Sequence, residues 1–307
     1  MDISLVICTY NRSGSLRRTL EQVRKMEVPE GLSWELLVVD NNSKDDTAAV
    51  VESFRNAAGI RCRYLLEKNQ GLSFARNLGI RHASGEIVVF TDDDVLVDRH
   101  WLKNIHDAFG RHDDVACVGG KILPFWETPP PAWVKGELLN ILALCDLGAE
   151  EKRLSEIRVW GANLSFRASV LRKYGGFDTE FGHKGGKLYG GEETRYLQEL
   201  INGGEKILYC PDVLVHHCIP EFRLRKGYFR KWYFDKGEFH ALMLGKYEKR
   251  NIMGIPLITI KRIFLDAWNY IATCLSDPGN AMPCQMSLVY NVGIVRGRIK
   301  YRFNGAA

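Results

Sequence analysis

Short apolar runs alternate with amphipathic stretches through the first ninety residues. Residues 3–7 form an apolar run that ends at Cys8-Thr9-Tyr10-Asn11-Arg12, and a helical pattern follows over about 15–25. Residues 34–39 make a second run, stopped by Asp40-Asn41-Asn42-Ser43, after which Asp45 or Asp46 can cap a helix to about 55. Residues 61–66 read as a third strand. The stretch 72–83, apolar at 72, 75, 78 and 79/80, reads as a helix. Residues 86–90 are a fourth strand running into Thr91-Asp92-Asp93-Asp94. Strands separated by helices of about three turns predict βαβ units, hence an α/β, Rossmann-like fold with a mostly parallel sheet flanked by helices. Ligands of such open sheets bind outside the carboxyl ends of the strands. Three of the four strand ends here carry polar, chemically capable residues: 9–12, 40–43 and 92–94. One crevice is expected.

The rhythm breaks at 124–160. Pro124-Phe125-Trp126-Glu127-Thr128-Pro129-Pro130-Pro131-Ala132-Trp133 reads as a rigid, aromatic-bearing loop, because prolines at this density exclude helix interior. A strand at 213–215 leads into His216-His217-Cys218. From about 221 the pattern becomes helical and basic, giving an expected division into a sheet domain over 1–220 and a helical extension over 221–307. Within the extension, 255–275 carries polar residues at 262, 266, 269 and 273 as a narrow stripe on a largely apolar helix, on which Arg262 and Asp266 could pair across one turn. So wide an apolar face is either buried against protein or inserted shallowly at a membrane surface, burial being the commoner outcome.

Charge sharpens this division. The formal net charge is +5, from 42 Lys+Arg and 37 Asp+Glu. Residues 221–303 hold 15 basic and 6 acidic side chains, a balance of +9, which leaves −4 for the rest. The basic extension, with aromatics interleaved at 222–232, suits an anionic partner: a membrane surface, a diphosphate or nucleic acid. The acidic crevice disfavours nucleic acid. The 8 cysteines include no CxxC pair, which favours a reducing compartment. No signal-peptide pattern and no run of about 18 uncharged apolar residues occur, so the expectation is a cytoplasmic protein, either free or peripheral on the inner face of the cytoplasmic membrane.

Asp92-Asp93-Asp94 is the sharpest local feature. In an extended backbone Asp92 and Asp94 point the same way, and two converging carboxylates invite a proton or a cation. Oxygen ligands suit Mg²⁺ or Mn²⁺, which complete their shells with water and substrate phosphate. The alternative is a solvated turn capping a helix near 99–101. Glu192-Glu193, after Gly190-Gly191, falls in the first turn of a helix, where the dipole favours acids with or without a role as general base. Adjacent His216 and His217 lack the spacing of a zinc site. No GxGxxG, Walker or Gly-x-Ser-x-Gly pattern is present.

Seven segments over residues 3–232 resemble, in order, a family 2 glycosyltransferase of the GT-A fold. They are Ile7-Cys8-Thr9-Tyr10-Asn11-Arg12, Val38-Val39-Asp40-Asn41-Asn42-Ser43, Asn69-Gln70-Gly71-Leu72-Ser73-Phe74-Ala75-Arg76-Asn77, Phe90-Thr91-Asp92-Asp93-Asp94, Gly161-Ala162-Asn163-Leu164-Ser165-Phe166, Gly175-Gly176-Phe177-Asp178 and Gly190-Gly191-Glu192-Glu193. The resemblance implies that Thr9, Tyr10, Arg12, Asp40 and Asn42 lie in loops holding the nucleotide, with Arg76 nearby. It implies that Asp92 and Asp94 are the ends of a DxD motif binding Mn²⁺ or Mg²⁺ on the donor diphosphate, with Asp93 alongside and His217 as a further metal or phosphate contact. Glu193 stands where the family usually has the Asp that acts as base, and Glu192 is the alternative base. Arg230-Lys231-Trp232 echoes the QxxRW motif of processive members without its Gln, which implies single-sugar transfer.

The function implied is inverting, metal-assisted transfer of one sugar from a nucleotide-diphosphate sugar, UDP by default. The acceptor would be a hydroxyl of a saccharide or lipid-linked saccharide. Trp126, Trp133, Trp160 and Asn163 are the candidate acceptor contacts. Two other readings are a catalytically silent nucleotide-sugar-binding module and a nucleotidyltransferase on a related fold. The latter needs a Gly-rich basic loop after the first strand, which residues 9–13 are not.

Overall fold

A computed structural model describes residues 1–182, 188, 190–243, 251–252 and 254–304. Parts of the expected helical extension, 244–250, 253 and 305–307, lie outside the described residues. The chain divides into two compact units. The first comprises Met1–Phe125, Ala143–Lys184 and Glu192–Cys218; the second comprises Trp126–Leu142, Gly185–Gly191 and Ile219–Ala307.

The first unit is built on the predicted βαβ units. Strands β1 (Ile3–Thr9), β2 (Trp34–Asp40), β3 (Cys62–Leu66) and β4 (Ile87–Asp92) alternate with helices α1 (Ser13–Arg24), α2 (Thr47–Ala58) and α3 (Leu72–His82). All three strand pairings are parallel, in the order β3-β2-β1-β4. Their register sets Thr9 beside Asp40 and Cys8 beside Asp92, which brings three polar strand ends to one edge. β1 and β2 are buried on both faces, which explains their nearly unbroken apolar runs.

Beyond β4 the sheet turns antiparallel. β5 (Val95–Val97) is followed by α4 (Trp101–Arg111), β6 (Val115–Trp126), β7 (Lys152–Leu154), β8 (Asn163–Arg167), α5 (Ala168–Tyr174), α6 (Glu192–Asn202) and β9 (Lys206–Ile219). The order continues β4-β8-β6-β9-β5, with β7 on β9. β8 runs antiparallel to β4 and sets Asn163 opposite Thr91, while β9 sets His217 opposite Val95. Phe90, Phe166, Phe177 and Tyr196 form an aromatic cluster between sheet and α6, edge-to-face except for the tilted Phe177–Tyr196 pair. Trp101, Tyr209 and Phe166 are among the largest fully buried side chains.

In the second unit, α7 (Lys226–Met243), α8 (Leu257–Ser276) and α9 (Ala281–Asn304) follow one another, with the short β10 (Asn251–Ile252) and β11 (Ile255–Pro256) paired before α8. α7 and α9 touch backbone to backbone. A Cβ on Gly237 would lie 2.1 Å from the Tyr290 carbonyl oxygen, and one on Gly293 would lie 2.3 Å from that of Phe234. Phe229 on α7 is fully buried, and Trp133 packs edge-on to it at 4.8 Å between ring centroids. Asp266 does not pair with Arg262 as its spacing suggested. Its Oδ2 accepts from Ser287 Oγ and Asn291 Nδ2, both at 2.8 Å, because this side of α8 faces α9.

Candidate active site

The acidic run does not stay extended. β4 ends at Asp92, the chain turns through Asp93 and Asp94, and β5 begins at Val95. The chain is therefore not extended through the run, yet Asp92 and Asp94 stay within each other's field: desolvation and the Asp94 charge push the Asp92 carboxyl up, with Arg76 opposing. Asp93 and Asp94 are buried and share one arginine: Arg12 Nη1 donates to Asp93 Oδ1 at 3.1 Å and to Asp94 Oδ2 at 3.0 Å. Asp92 is about a third exposed and faces Arg76 Nη2 at 3.8 Å. Thr9, expected to touch nucleotide, is itself buried and donates its hydroxyl to Asp93 Oδ2 at 2.7 Å. Burial pushes the Asp93 carboxyl up to about 6, against the opposing charge of Arg12.

His217 reaches Asp94 from β9, with Nε2 3.3 Å from Asp94 Oδ1. The Cys218 N–H donates to the Asp94 carbonyl oxygen at 2.9 Å and fixes that approach. Among the described residues no three His, Cys, Asp or Glu side chains already converge as a metal cage. The residues nonetheless fit a divalent cation. Asp92, Asp93, Asp94, Glu192 and Glu193 set five carboxylates against two arginines, and Mg²⁺-type ions need only one or two carboxylates when substrate phosphate completes the shell.

The ends of β1 and β2 are stitched together. Asn11 and Asn42 adopt left-handed backbone conformations (φ 52° and 65°). The Asn11 N–H donates to Ser43 Oγ at 2.9 Å, and Asn11 Oδ1 accepts from the Lys44 N–H at 2.6 Å. Asp40 is buried; its Oδ1 accepts from the Ser43 N–H at 2.8 Å and its Oδ2 from the Tyr64 hydroxyl at 2.7 Å. Tyr10 stands 47% exposed at the mouth of these loops, a free aromatic face. Sequence reading missed Asn41, which donates to the Asn69 carbonyl oxygen at 2.6 Å and accepts from the Gly71 N–H at 2.8 Å, ordering the turn into α3. The signal was its place in the polar strand end.

Arg76 is the hub. It rises from α3, is 4% exposed, and donates to Glu192 Oε1 at 2.7 Å. Glu193 Oε2 and Asp92 Oδ1 each lie 3.8 Å from its guanidinium, which also sits over the Phe177 ring at 5.2 Å. Gly161 makes room for it, since a Cβ there would fall 2.3 Å from Arg76 Nη2. Glu192 is fully enclosed, whereas the Glu193 side chain keeps 21% exposure. Burial and the adjacent Glu192 charge push the Glu193 carboxyl up to about 7, with Arg76 opposing. One carboxylate is thus spent on the arginine, and its neighbour is left accessible and proton-accepting near neutrality.

The candidate acceptor residues separate. Asn163 is fully buried and its amide is committed: Oδ1 accepts from Trp101 Nε1 at 3.0 Å, and Nδ2 donates to the carbonyl oxygens of Val213 (2.8 Å) and Lys121 (3.1 Å). It is a strut across the antiparallel strands, which corrects its expected contact with acceptor. Trp160 is half-buried and donates its indole N–H to the Leu144 carbonyl oxygen at 3.0 Å. Trp126 ends β6, and Trp133 packs on Phe229; both are half-buried in the second unit.

A half-parallel, half-antiparallel sheet with an acidic turn and a paired-glutamate helix start at its carboxyl edge defines a GT-A glycosyltransferase that uses a nucleotide-sugar donor. The chain belongs to glycosyl transferase family 2, whose profile matches residues 4–175. It is 28% identical over 227 residues to the glucosyl-dolichyl phosphate glucuronosyltransferase of Haloferax volcanii, covering 73% of this chain and 71% of that one. It is 26% identical to the succinoglycan biosynthesis protein ExoM of Rhizobium meliloti, covering 97% and 93%. In structure it is similar to a mannosyltransferase of Pyrobaculum calidifontis solved with GDP-Man and Mn²⁺. That match has a TM-score of 0.59 and 17% identity, and covers 98% of this chain and 87% of the other. The resemblance in family and fold is borne out, and the protein is an enzyme.

Proposed function

We propose that the protein transfers one hexosyl unit, with inversion, from a nucleoside-diphosphate sugar to a hydroxyl of a saccharide or lipid-linked saccharide. The observation that carries this reading is Glu193: accessible, at the start of α6, and pushed up to about 7 beside a glutamate already paired with Arg76. In the proposed step the acceptor oxygen attacks the anomeric carbon as its proton passes to the Glu193 carboxylate. The anomeric carbon–phosphate oxygen bond breaks on the opposite side, and nucleoside diphosphate departs. A single displacement inverts the configuration and uses no protein nucleophile. General base help of this kind contributes roughly 10²–10⁴-fold.

Asp94 and His217, with Asp92 at the rim, would hold a divalent cation, Mn²⁺ or Mg²⁺. When bound, the cation would stabilise charge on the departing diphosphate. Arg76 holds the base in place by pairing with Glu192, and Arg12 fixes the acidic turn. Exposed Tyr10 and buried Asp40 are the nucleotide contacts, Asn42 shaping their loop. Trp126, Trp133 and Trp160 remain candidates for the sugar acceptor, having ring faces that suit it. UDP is the default nucleotide, and the GDP-Man of the mannosyltransferase makes GDP the natural second choice. The Haloferax relative, a dolichyl-phosphate enzyme by name, supports a lipid-linked acceptor, and with it a peripheral position on the inner face of the cytoplasmic membrane. No described helix is long and apolar enough to cross a membrane.

Calorimetric titration with UDP and GDP, with and without Mn²⁺, tests this reading. Binding that needs the cation and disappears in Asp92→Ala/Asp94→Ala is expected. Absence of nucleotide binding under every condition would sink it.

A further inference from the structure

Helix α8 is amphipathic in the reverse sense. Its polar side faces protein: Asp266 accepts from Ser287 and Asn291 on α9, the Tyr270 hydroxyl accepts from Gln285 Nε2 at 2.8 Å, and Thr273 Oγ1 meets Cys284 Sγ at 3.7 Å. The opposite side is apolar and open. Phe264 is 72% exposed, Trp268 70% and Leu275 84%, with Ile258, Leu265 and Ile271 also more than half exposed. Phe264, Trp268, Ile271 and Leu275 recur at intervals of four, three and four residues, so they form one stripe along the second half of the helix, with Leu265 at its edge. A contiguous apolar stripe of this kind on a soluble surface marks an interaction site.

The charges on that side identify the partner. Lys261, three residues before Phe264, is exposed at the stripe, and Arg262 is exposed at the border of the α9-facing side, one turn before Asp266, the one carboxylate of α8, which is turned to α9. A basic, carboxylate-free edge beside Trp, Phe and Leu is the composition of a helix lying in the plane of a membrane interface. It complements an anionic lipid surface, and the indole of Trp268 suits the headgroup level. A second copy is a poorer match, because self-pairing would set Lys261 and Arg262 against a face that offers no carboxylate.

We propose that the exposed face of α8 inserts shallowly into an anionic bilayer and is the surface by which the enzyme docks on the membrane. The inference rests on the peripheral position proposed above and names the residues that achieve it. Neither the donor site nor Glu193 takes part.

The test is flotation of the full chain with phosphatidylcholine vesicles, with or without about 30 mol% phosphatidylglycerol, at low and high salt. Wild type should float with the anionic vesicles, less so at high salt. Phe264→Ser/Trp268→Ser and Lys261→Glu/Arg262→Glu should each lower the bound fraction by about tenfold or more. Their circular dichroism and nucleoside-diphosphate titrations should match wild type. If wild type and both variants float equally, α8 is not the docking surface, although the peripheral position stands. If wild type does not float at all, both ideas fail, while the transferase reading remains to be judged by nucleotide binding. A dimer that dissociates in Phe264→Ser/Trp268→Ser without any flotation would make the face a self-interface and overturn the proposal.

Discussion

Replacing Arg76 by methionine would remove the positive charge that, among the described residues, Glu192, Glu193 and Asp92 share. Coulomb attraction at an effective dielectric of 20 is about 6 kcal/mol at the 2.7 Å separation from Glu192, and about 4 kcal/mol at each 3.8 Å separation. Desolvation of the arginine offsets much of this in the wild type. In the variant, however, the fully enclosed Glu192 stays buried with no counter-charge among the described residues. Breaking a buried pair from one side typically costs about 3–5 kcal/mol. At roughly 2–4 °C per kcal/mol for a unit of this size, the melting temperature should fall by about 6–20 °C. Arg76→Met/Glu192→Gln should recover about 1–3 kcal/mol, because it removes both charges together. Thermal and urea unfolding at pH 7 measure both quantities. A loss under about 1 kcal/mol for Arg76→Met, or strict additivity in the double variant, would refute the hub assignment.

Three further outcomes follow from the same geometry. Asn163→Ala strips partners from Trp101 Nε1 and from the Val213 and Lys121 carbonyls, so urea unfolding should show a loss of about 2–5 kcal/mol. Gly161→Ala sets a methyl group against the pinned Arg76 guanidinium. A cost of about 1–3 kcal/mol and reduced turnover should appear together, and a variant as active as wild type would contradict the close approach. Glu193→Gln should stabilise the protein at pH 8. The raised carboxyl pKa means that the folded state binds its proton more tightly than the unfolded chain. Its stabilising contribution is thus complete below about 4.5 and lost as pH rises through about 7. The advantage of the glutamine variant should therefore shrink toward pH 4.5, and an advantage independent of pH would contradict the shift.

The parallel half of the fold was legible because its signals are local. Apolar runs that stop at polar residues predict β1, β2 and β4 to within about two residues, and the apolar spacing at 72, 75 and 78 predicts α3. The antiparallel half was hidden because its pairing depends on partners distant in sequence. β8 is only five residues long, β6 does not alternate polar and apolar residues, and the 14 residues of β9 run through Pro211. The strand at 213–215 is only its middle. In the site, Glu192-Glu193 begins α6 as its position after two glycines suggests. Which of the two is enclosed depends on Arg76, 116 residues away in the chain. The turn inside the acidic run was hidden for a physical reason: alternation of side chains holds only in extended backbone, and three consecutive aspartates do not show that the strand ends at the first. Asn163 misled, because a buried amide and a ligand-binding amide look the same in sequence.

The central claim is that Glu193, not Glu192, takes the acceptor proton. The most direct measurement is the pH dependence of nucleoside-diphosphate release from the donor, with water as acceptor when no other is known, in wild type, Glu193→Gln and Glu192→Gln. Wild-type turnover should rise through a limb near pH 7. Glu193→Gln should lose about 10²–10⁴-fold while still binding nucleotide. Glu192→Gln should keep turnover with its limb moved to lower pH, since the neighbouring negative charge that raises the Glu193 pKa is gone. A Glu193→Gln enzyme that retains both turnover and the limb near 7 would contradict the account.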